Sequence, residues 1–475
     1  MRRPLITLIL CLFVSACGDS SSDSSNEPDA LASVRHWNSV AIDASGYDHT
    51  PIAADPVLVY ADAPRTGQFK APIGDQLGPG RASRAIAIVQ IAVFEVINAV
   101  EGGYASYVGL APASRETSLA AAMAQAAHDT LVAVFPSQTS TFDAELALDL
   151  DAIEDGDAET AGIDLGARAA SAILEMRADD GSDHAEPRVG IEYIPGTEPG
   201  DWRPDPISQH PLALGARWSQ VTPFALESAD QFRIVPPPAL DSAEYAASFD
   251  EVAALGGDGV VTPTVRTEDQ TEAGIYWAYD GTPSLCAPPR LYNQIALTIA
   301  DLQGSDALET ARLLALVNVA MADAGIAIWE SKYYYEFWRP VGGIREGGDP
   351  TFSPLGAPAS NLTGPNFTPP FPAYPSGHAG FGGALFQILR NVYGRDDIEF
   401  TFVSDEYNGV TLDNQGNVRP LRPRTFASLS EAEEENGQSR IYLGIHWSFD
   451  KTEGIALGRD VGDYVFENLF LPVTE

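Results

Sequence analysis

Three short stretches of the sequence carry residue types that suit the capture of an oxyanion. The first runs from Lys332 through Tyr333, Tyr334, Tyr335, Glu336, Phe337 and Trp338 to Arg339 and Pro340. Its two cations lie seven residues apart, two helical turns, so both face one way if the helix runs on. The second is Pro375-Ser376-Gly377-His378, at the point where a loop gives way to an apolar helix reaching about Tyr393. Free N–H groups and the positive end of a helix favour an anion there. Gly377 permits close approach, and Ser376 offers a hydroxyl. His378 stands where it can exchange a proton with the bound group. The third stretch joins Ser439 and Arg440 to His446 and Asp450. Spaced four apart, His446 and Asp450 stack on one helical face, and the carboxylate can fix the imidazole tautomer, as a metal-binding histidine requires.

Taken singly, each stretch has a plain reading: a solvated basic stripe, a histidine at a helix cap, a surface His–Asp pair. Their joint presence in this order is far more specific. It also stands out against the composition, since 66 acidic and 28 basic residues give a net charge of −38. Such a field repels nucleic acid and anionic lipid, so nucleic-acid binding is set aside, and any anion site must be built locally against it.

Residues 1–17 place Arg2 and Arg3 before an apolar run and small residues up to Cys17, the layout of an export signal. The run is short for a bilayer span. Val14-Ser15-Ala16-Cys17 resembles a bacterial lipobox, so the expectation is an exported lipoprotein, periplasmic or at the cell surface, touching a membrane only through a lipid anchor at Cys17, with an ordinary signal peptide cleaved nearby as the second reading. The Ser- and Asp-rich residues 18–31 read as a flexible tether. Only Cys286 remains in the body of the chain, which leaves no internal disulfide to form.

The 475 residues, 45% of them apolar, can bury a large core. Apolar residues at helical spacing fill 82–101, 115–135, 159–179 and 307–330, and alternating strand patterns are scarce. The chain therefore reads as all-α. Pro- and Gly-rich connections such as 195–206 and 347–375 are long enough to shape a pocket. The stretch 195–240 separates an Ala-rich first half, 32–230, from a second half, 231–475, that holds every unusual motif.

Lys-x6-Arg-Pro, Pro-Ser-Gly-His and Ser-Arg-x5-His-x3-Asp together resemble the superfamily of vanadium-dependent haloperoxidases and type 2 acid phosphatases. Within it, four flanking segments are most similar to the fungal vanadium chloroperoxidases. These are Trp277-Ala278-Tyr279-Asp280-Gly281, Pro288 to Gln294, Glu336-Phe337-Trp338-Arg339-Pro340, and Pro369 to Ala379. The likeness covers roughly 275–460 closely and the rest by helical character. It implies two four-helix bundles with the pocket in the second, and vanadate as cofactor.

Residue by residue, the resemblance implies that Lys332, Arg339, Ser376, Gly377 and Arg440 cage the vanadate oxygens and that His446 is the protein ligand to the metal. It makes His378 the acid–base residue, Asp280 the partner of Arg440 and Asp450 the partner of His446, with Phe371 and Trp329 lining the pocket. Bromide-selective relatives carry histidine where Phe371 stands, which points to a pocket that takes chloride as well as bromide. Gly380 departs from the family, where Thr is expected, as does a shorter segment between the second and third stretches. The implied reaction oxidises halide with hydrogen peroxide and delivers a hypohalous acid equivalent to small organic acceptors. In it, His378 takes the peroxide proton and Lys332 polarises the bound oxidant. The same cage would serve an acid phosphatase acting on phosphomonoesters, with His446 as nucleophile. A lipoprotein that only holds an oxyanion would need no acid–base residue.

Overall fold

The computed structural model describes residues 28–50 and 74–473. The expected export signal, Cys17 and the tether up to residue 27 lie outside the described residues. The end of that tether is helical: Asp29 caps α1 (Ala30–Asp48), its carboxylate accepting from the Ala32 N–H.

The first half continues with α2 (Gly78–Glu101), α3 (Leu119–Val134), α4 (Thr139–Asp151) and α5 (Asp157–Arg177); α2, α3 and α5 pack on one another and α4 packs on α3. The expected helix at 115–135 starts only at Leu119, because Ser118 caps it by accepting from Ala121 N. The second half holds α6 (Ala243–Leu255), α7 (Glu268–Tyr276), α8 (Pro289–Gln303), α9 (Ala307–Tyr335), α10 (Pro340–Glu346), α11 (Gly377–Tyr393), α12 (Leu429–Tyr442) and α13 (Ser448–Asn468). Of these, α9, α11, α12 and α13 form the second group of four. The all-α expectation misses one antiparallel pair, β1 (Phe400–Asn408) and β2 (Leu421–Phe426), among the described residues. Phe400 and Phe402 turn inward from β1, and the Phe402 carbonyl accepts from the Tyr276 hydroxyl at 2.7 Å.

At the centre is α9. A capping box of Asp306 and Glu309 starts it, and its side chains are apolar nearly all round, as befits a helix enclosed by others. With α2 it is long and apolar enough to cross a membrane, yet both are almost wholly buried inside the protein. They pack on each other, and one continuous core runs through both halves.

The stretch 178–242 carries no α-helix and straps over α9. Asp323, fully buried on α9, accepts from the N–H groups of Phe224, Ala225 and Leu226 at 2.6, 2.7 and 3.0 Å. Burial pushes this carboxyl up to about 6 against those three bonds. The Leu214 carbonyl accepts from Trp329 Nε1 and the Tyr333 hydroxyl, and Leu214 N donates to Pro370 O. Such bonds give backbone outside regular structure its partners.

The seam between α11 and α13 depends on small residues. A Cβ at Gly454 would lie 2.7 Å from Ser376 O, and one at Gly458 only 2.0 Å from Gly380 O. Gly380 has its own reason: a Cβ there would meet Ile328 Cδ1 at 2.4 Å. The threonine expected at this position would need the Ile328 side chain to move aside. Because α11 opens on Ser376 and α13 follows His446, this seam sets the spacing of the two motifs. Gly458→Ala should cost at least about 2 kcal/mol by forcing backbone from backbone. Urea unfolding of the purified variant would check it, and a loss below about 0.5 kcal/mol would contradict the close crossing.

Candidate functional site

The second and third motifs reach one cavity of about 1560 Å3, whose wall includes Phe371, Gly377, His378, Arg440 and His446, and the first motif lies behind that wall, with Arg339 against His446 and Lys332 against Pro375 O. Trp329 and Asp280 also reach it, as does Phe381, which the sequence did not single out.

His446 precedes α13 instead of lying on a helical face with Asp450. Asp450 is the third residue of α13, and its Oδ2 accepts from His446 Nδ1 at 2.8 Å and from the Trp447 N–H at 2.9 Å. The spacing of four thus serves a helix cap that also grips the imidazole. Arg339 Nη1 lies 2.8 Å from His446 Nε2. A guanidinium can only donate, so Nε2 carries the lone pair and Nδ1 the proton given to Asp450. That is the tautomer in which Nε2 can bind a metal. Burial, then the neighbouring Arg339, Lys332 and Arg440, hold the His446 imidazole well below its usual range and keep it neutral.

The expected shared face for Lys332 and Arg339 is not formed. The helix ends at Tyr335, and Glu336 takes the left-handed conformation (φ 47°). Its carbonyl accepts from Trp202 N and its carboxylate from the Tyr193 hydroxyl, both on the strap. Arg339 instead starts α10 and reaches the site from there: Nε donates to Phe371 O at 2.9 Å and Nη1 to Ile445 O at 2.8 Å. Lys332 Nζ donates to the carbonyls of Pro372, Ala373 and Pro375, which uses all three of its N–H groups. It is off the cavity wall in this arrangement and fastens the loop that leads to Ser376. Burial, with Arg339 nearby, pulls the Lys332 ammonium well below its usual range.

Ser376 caps α11, its Oγ facing the Ala379 N–H at 3.4 Å, and is fully buried. The N–H groups of Gly377 and His378, in the first turn, have no acceptor within the helix. Arg440, also fully buried, is held by Asp280 Oδ2 at 2.7 Å. His378 Nε2 donates to the Ala278 carbonyl and lies 3.9 Å from Asp280 Oδ1. Its Nδ1 therefore carries the lone pair. Burial, then the Arg440 charge, lowers His378 to about 4, so it stays neutral and able to accept a proton in all but strongly acidic solution.

Two guanidinium nitrogens, Arg339 Nη2 and Arg440 Nε, are buried without any hydrogen-bond partner. Lys332, Arg339 and Arg440 set three basic side chains against the two carboxylates of Asp280 and Asp450, and burial pushes the Asp450 carboxyl up to about 7. Burial and the repulsion from Arg440 draw even Arg339 down to about 9, although Asp450 and Asp280 oppose this. Orphaned guanidinium donors of this kind are what an oxyanion would satisfy.

The sequence missed most of the outer wall. Five of the seven histidines line this one cavity: His49, His184, His210, His378 and His446. Their scarcity elsewhere in the chain was the available signal.

Comparison with known proteins points the same way. Residues 312–473 match the family model of the VCPO second helical-bundle domain. Over 280 residues the chain is 41% identical to vanadium chloroperoxidase from Curvularia inaequalis, a match that takes in 50% of this chain and 45% of that enzyme. The chain is a homologue of that enzyme across the matched part, which is about half of its relative's length. Among solved structures, the first bacterial vanadium-dependent iodoperoxidase superposes with a TM-score of 0.73 at 23% identity, covering 94% of this chain and 98% of the other. A holo-type bacterial vanadium-dependent chloroperoxidase gives 0.63 at 18%, covering 87% and 97%. At these identities the two structures establish the shared fold.

The neutral state of His378 has a consequence for stability. An unfolded histidine protonates below about pH 6.5 while the folded one resists until about 4, so unfolding takes up a proton in that window and stability falls with pH. His378→Gln keeps a donor for Ala278 O but cannot titrate. Between pH 7.5 and 4.5 the wild type should lose up to about 3 kcal/mol more than this variant in urea unfolding. Equal losses would show that His378 titrates normally.

Proposed function

We propose that this chain is a vanadate-dependent haloperoxidase that oxidises bromide, and chloride as well, with hydrogen peroxide. The net reaction is X⁻ + H2O2 + H⁺ → HOX + H2O. The observation that carries the reading is the lone pair of His446 Nε2, which accepts from Arg339 while Asp450 holds the proton on Nδ1, set among buried guanidinium nitrogens that have no partner.

In this reading His446 Nε2 is the ligand to vanadium. Arg339 Nη2, Arg440 Nε and the first-turn N–H groups of α11 face the oxyanion, with Ser376 at the cap. Lys332 joins them by exchanging one of its carbonyl partners for the anion. Vanadate, when bound, supplies a Lewis-acidic centre that draws electrons from peroxide without a change of oxidation state. The chain's own residues do the rest. His378 accepts the peroxide proton at Nδ1 and later returns it to the departing oxygen. Asp280 keeps Arg440 pointed at the site, and Asp450 holds the His446 proton on Nδ1 so that Nε2 keeps its lone pair. Phe371 and Trp329, with ring centroids 4.9 Å apart, form an apolar wall that holds water back from the oxidant and leaves room for a weakly hydrated halide.

The division at 230/231 and an exported, Cys17-anchored lipoprotein belong to the same proposal. The helix-free stretch 178–242 supports the first and residues 1–31 the second. Metabolic labelling with palmitate tests the anchor: Cys17→Ala should abolish incorporation, and an unlabelled wild type would rule the anchor out.

Activity is tested with vanadate-reconstituted protein, hydrogen peroxide and bromide or chloride, following halogenation of monochlorodimedone. His446→Ala should fall to the rate of free vanadate, and His378→Ala should lose roughly 100- to 10,000-fold. Hydrolysis of p-nitrophenyl phosphate by the vanadate-free protein, with no halogenation by the loaded form, would replace this reading by an acid phosphatase using the same cage.

A further inference from the structure

The cavity is much larger than an oxyanion and a halide need. At about 1560 Å3 it exceeds the roughly 300–1,000 Å3 of a usual small-molecule site. Prolines and aliphatic side chains from 187–214 and 362–370 make much of its wall apolar.

Charged groups on that wall are paired, with one exception. Arg81 meets Glu186, Arg188 meets Glu192, and Arg440 meets Asp280. Asp413 accepts from the N–H groups of Gln415 and Asn417. Among the described residues, half-buried Arg217 is the one charged side chain on the wall with no hydrogen bond or ion pair from its side chain.

The backbone around Arg217 is fixed. Gly215 N donates to Glu186 at 2.6 Å, Trp218 N donates to Gly215 O at 2.9 Å, and Trp218 is buried. Trp218 also carries the ring of His184 at a centroid distance of 6.0 Å. His184 Nδ1 faces the Gly181 carbonyl at 3.0 Å and must donate to it, which leaves Nε2 as an acceptor. That Nε2 is buried, has no partner and belongs to a residue of the same cavity wall.

We infer that this wall is a binding site for an organic acceptor with an apolar body, a carboxylate for Arg217 and a hydrogen-bond donor for His184. The inference rests on the haloperoxidase reading for the acceptor's fate. An electron-rich ring held in the cavity receives halogen before the oxidant escapes: R–H + X⁻ + H2O2 + H⁺ → R–X + 2 H2O. Halide is oxidised by two electrons, peroxide is reduced, the C–H bond is replaced by C–X, and the released ring proton ends in water. A site of this kind makes the enzyme selective for its acceptor, where an empty funnel would release a diffusible oxidant.

The probe is 3-(4-hydroxyphenyl)propanoate, with its methyl ester as the neutral match. Calorimetric titration of vanadate-loaded full-length protein, without peroxide, reads binding while the oxyanion cage is filled. The acid should bind about 10-fold more tightly than the ester, the worth of one charge-assisted bond at a half-buried site. Arg217→Gln should remove that preference while still binding the ester, which shows that it is folded, and Arg217→Lys should restore part of it. Equal affinity of the wild type for acid and ester, or a preference that survives in Arg217→Gln, would overturn the site. With peroxide and bromide added, acid and ester compete for bromination. A consumption ratio above that given by reagent hypobromous acid supports the acceptor role, and an identical ratio overturns it. Intact binding preference without any halogenation would sink the haloperoxidase reading and the acceptor role with it, and the anion site would stand.

Discussion

Burying three basic side chains around two carboxylates leaves guanidinium donors that the interior does not satisfy, and the architecture of the second half is organised around holding them. Each cation is fixed by a different part of the chain. Lys332 comes from the end of α9, Arg339 from the start of α10 and Arg440 from the last turn of α12. Each meets carbonyls or a carboxylate that leave the planar guanidinium groups one nitrogen short of satisfaction. Removing such charges from water costs several kcal/mol apiece, and they repel one another as well. The depressed Lys332 and Arg339 are the visible result. An anion entering this shell meets donors that are already oriented, so its affinity comes from relieving a cost incurred in folding.

Precision of that kind needs rigid supports. The glycines of α13 let its backbone lie against α11, and Gly380 lets α11 lie against α9. The α11–α13 crossing is thus backbone against backbone, and the α9–α11 contact is set by the Ile328 side chain. The strap from 178 to 242 then closes the cavity from above, tied to α9 through Asp323, Trp329 and Tyr333. The residue types follow from position: small where helices touch, aromatic where the wall must be dry, and histidine where a lone pair must face inward.

How much of this could be read from the sequence depended on the range of the interactions that decide it. The long helices were legible because each is set by its own apolar period, and α9 shows this within the sequence alone. The chemistry of the site was legible because its residue types are rare and their order is specific. The Asp280–Arg440 pair came only through likeness to a family, since nothing local joins positions 160 residues apart. The break at Glu336 was hidden, because Tyr193 and Trp202 of the strap impose it from afar. Without that break Arg339 would continue along α9 and miss His446. The outer wall around Arg217 was hidden for a related reason: segments with no period give no sign of which cavity they will enclose.

The contact between α2 and α9, and the single core that follows from it, bear on how the chain reaches this state. The α9 surface that faces α2 belongs to the second half but is covered by the first, so neither half alone can bury its apolar surface. Ribosomal synthesis delivers α1 to α5 long before α9, and those helices must wait with an exposed apolar face. Many native contacts join residues far apart in sequence, which slows the search for the folded state. A chain built this way depends on its environment during assembly, and its net charge of −38 keeps partly assembled molecules apart while they wait.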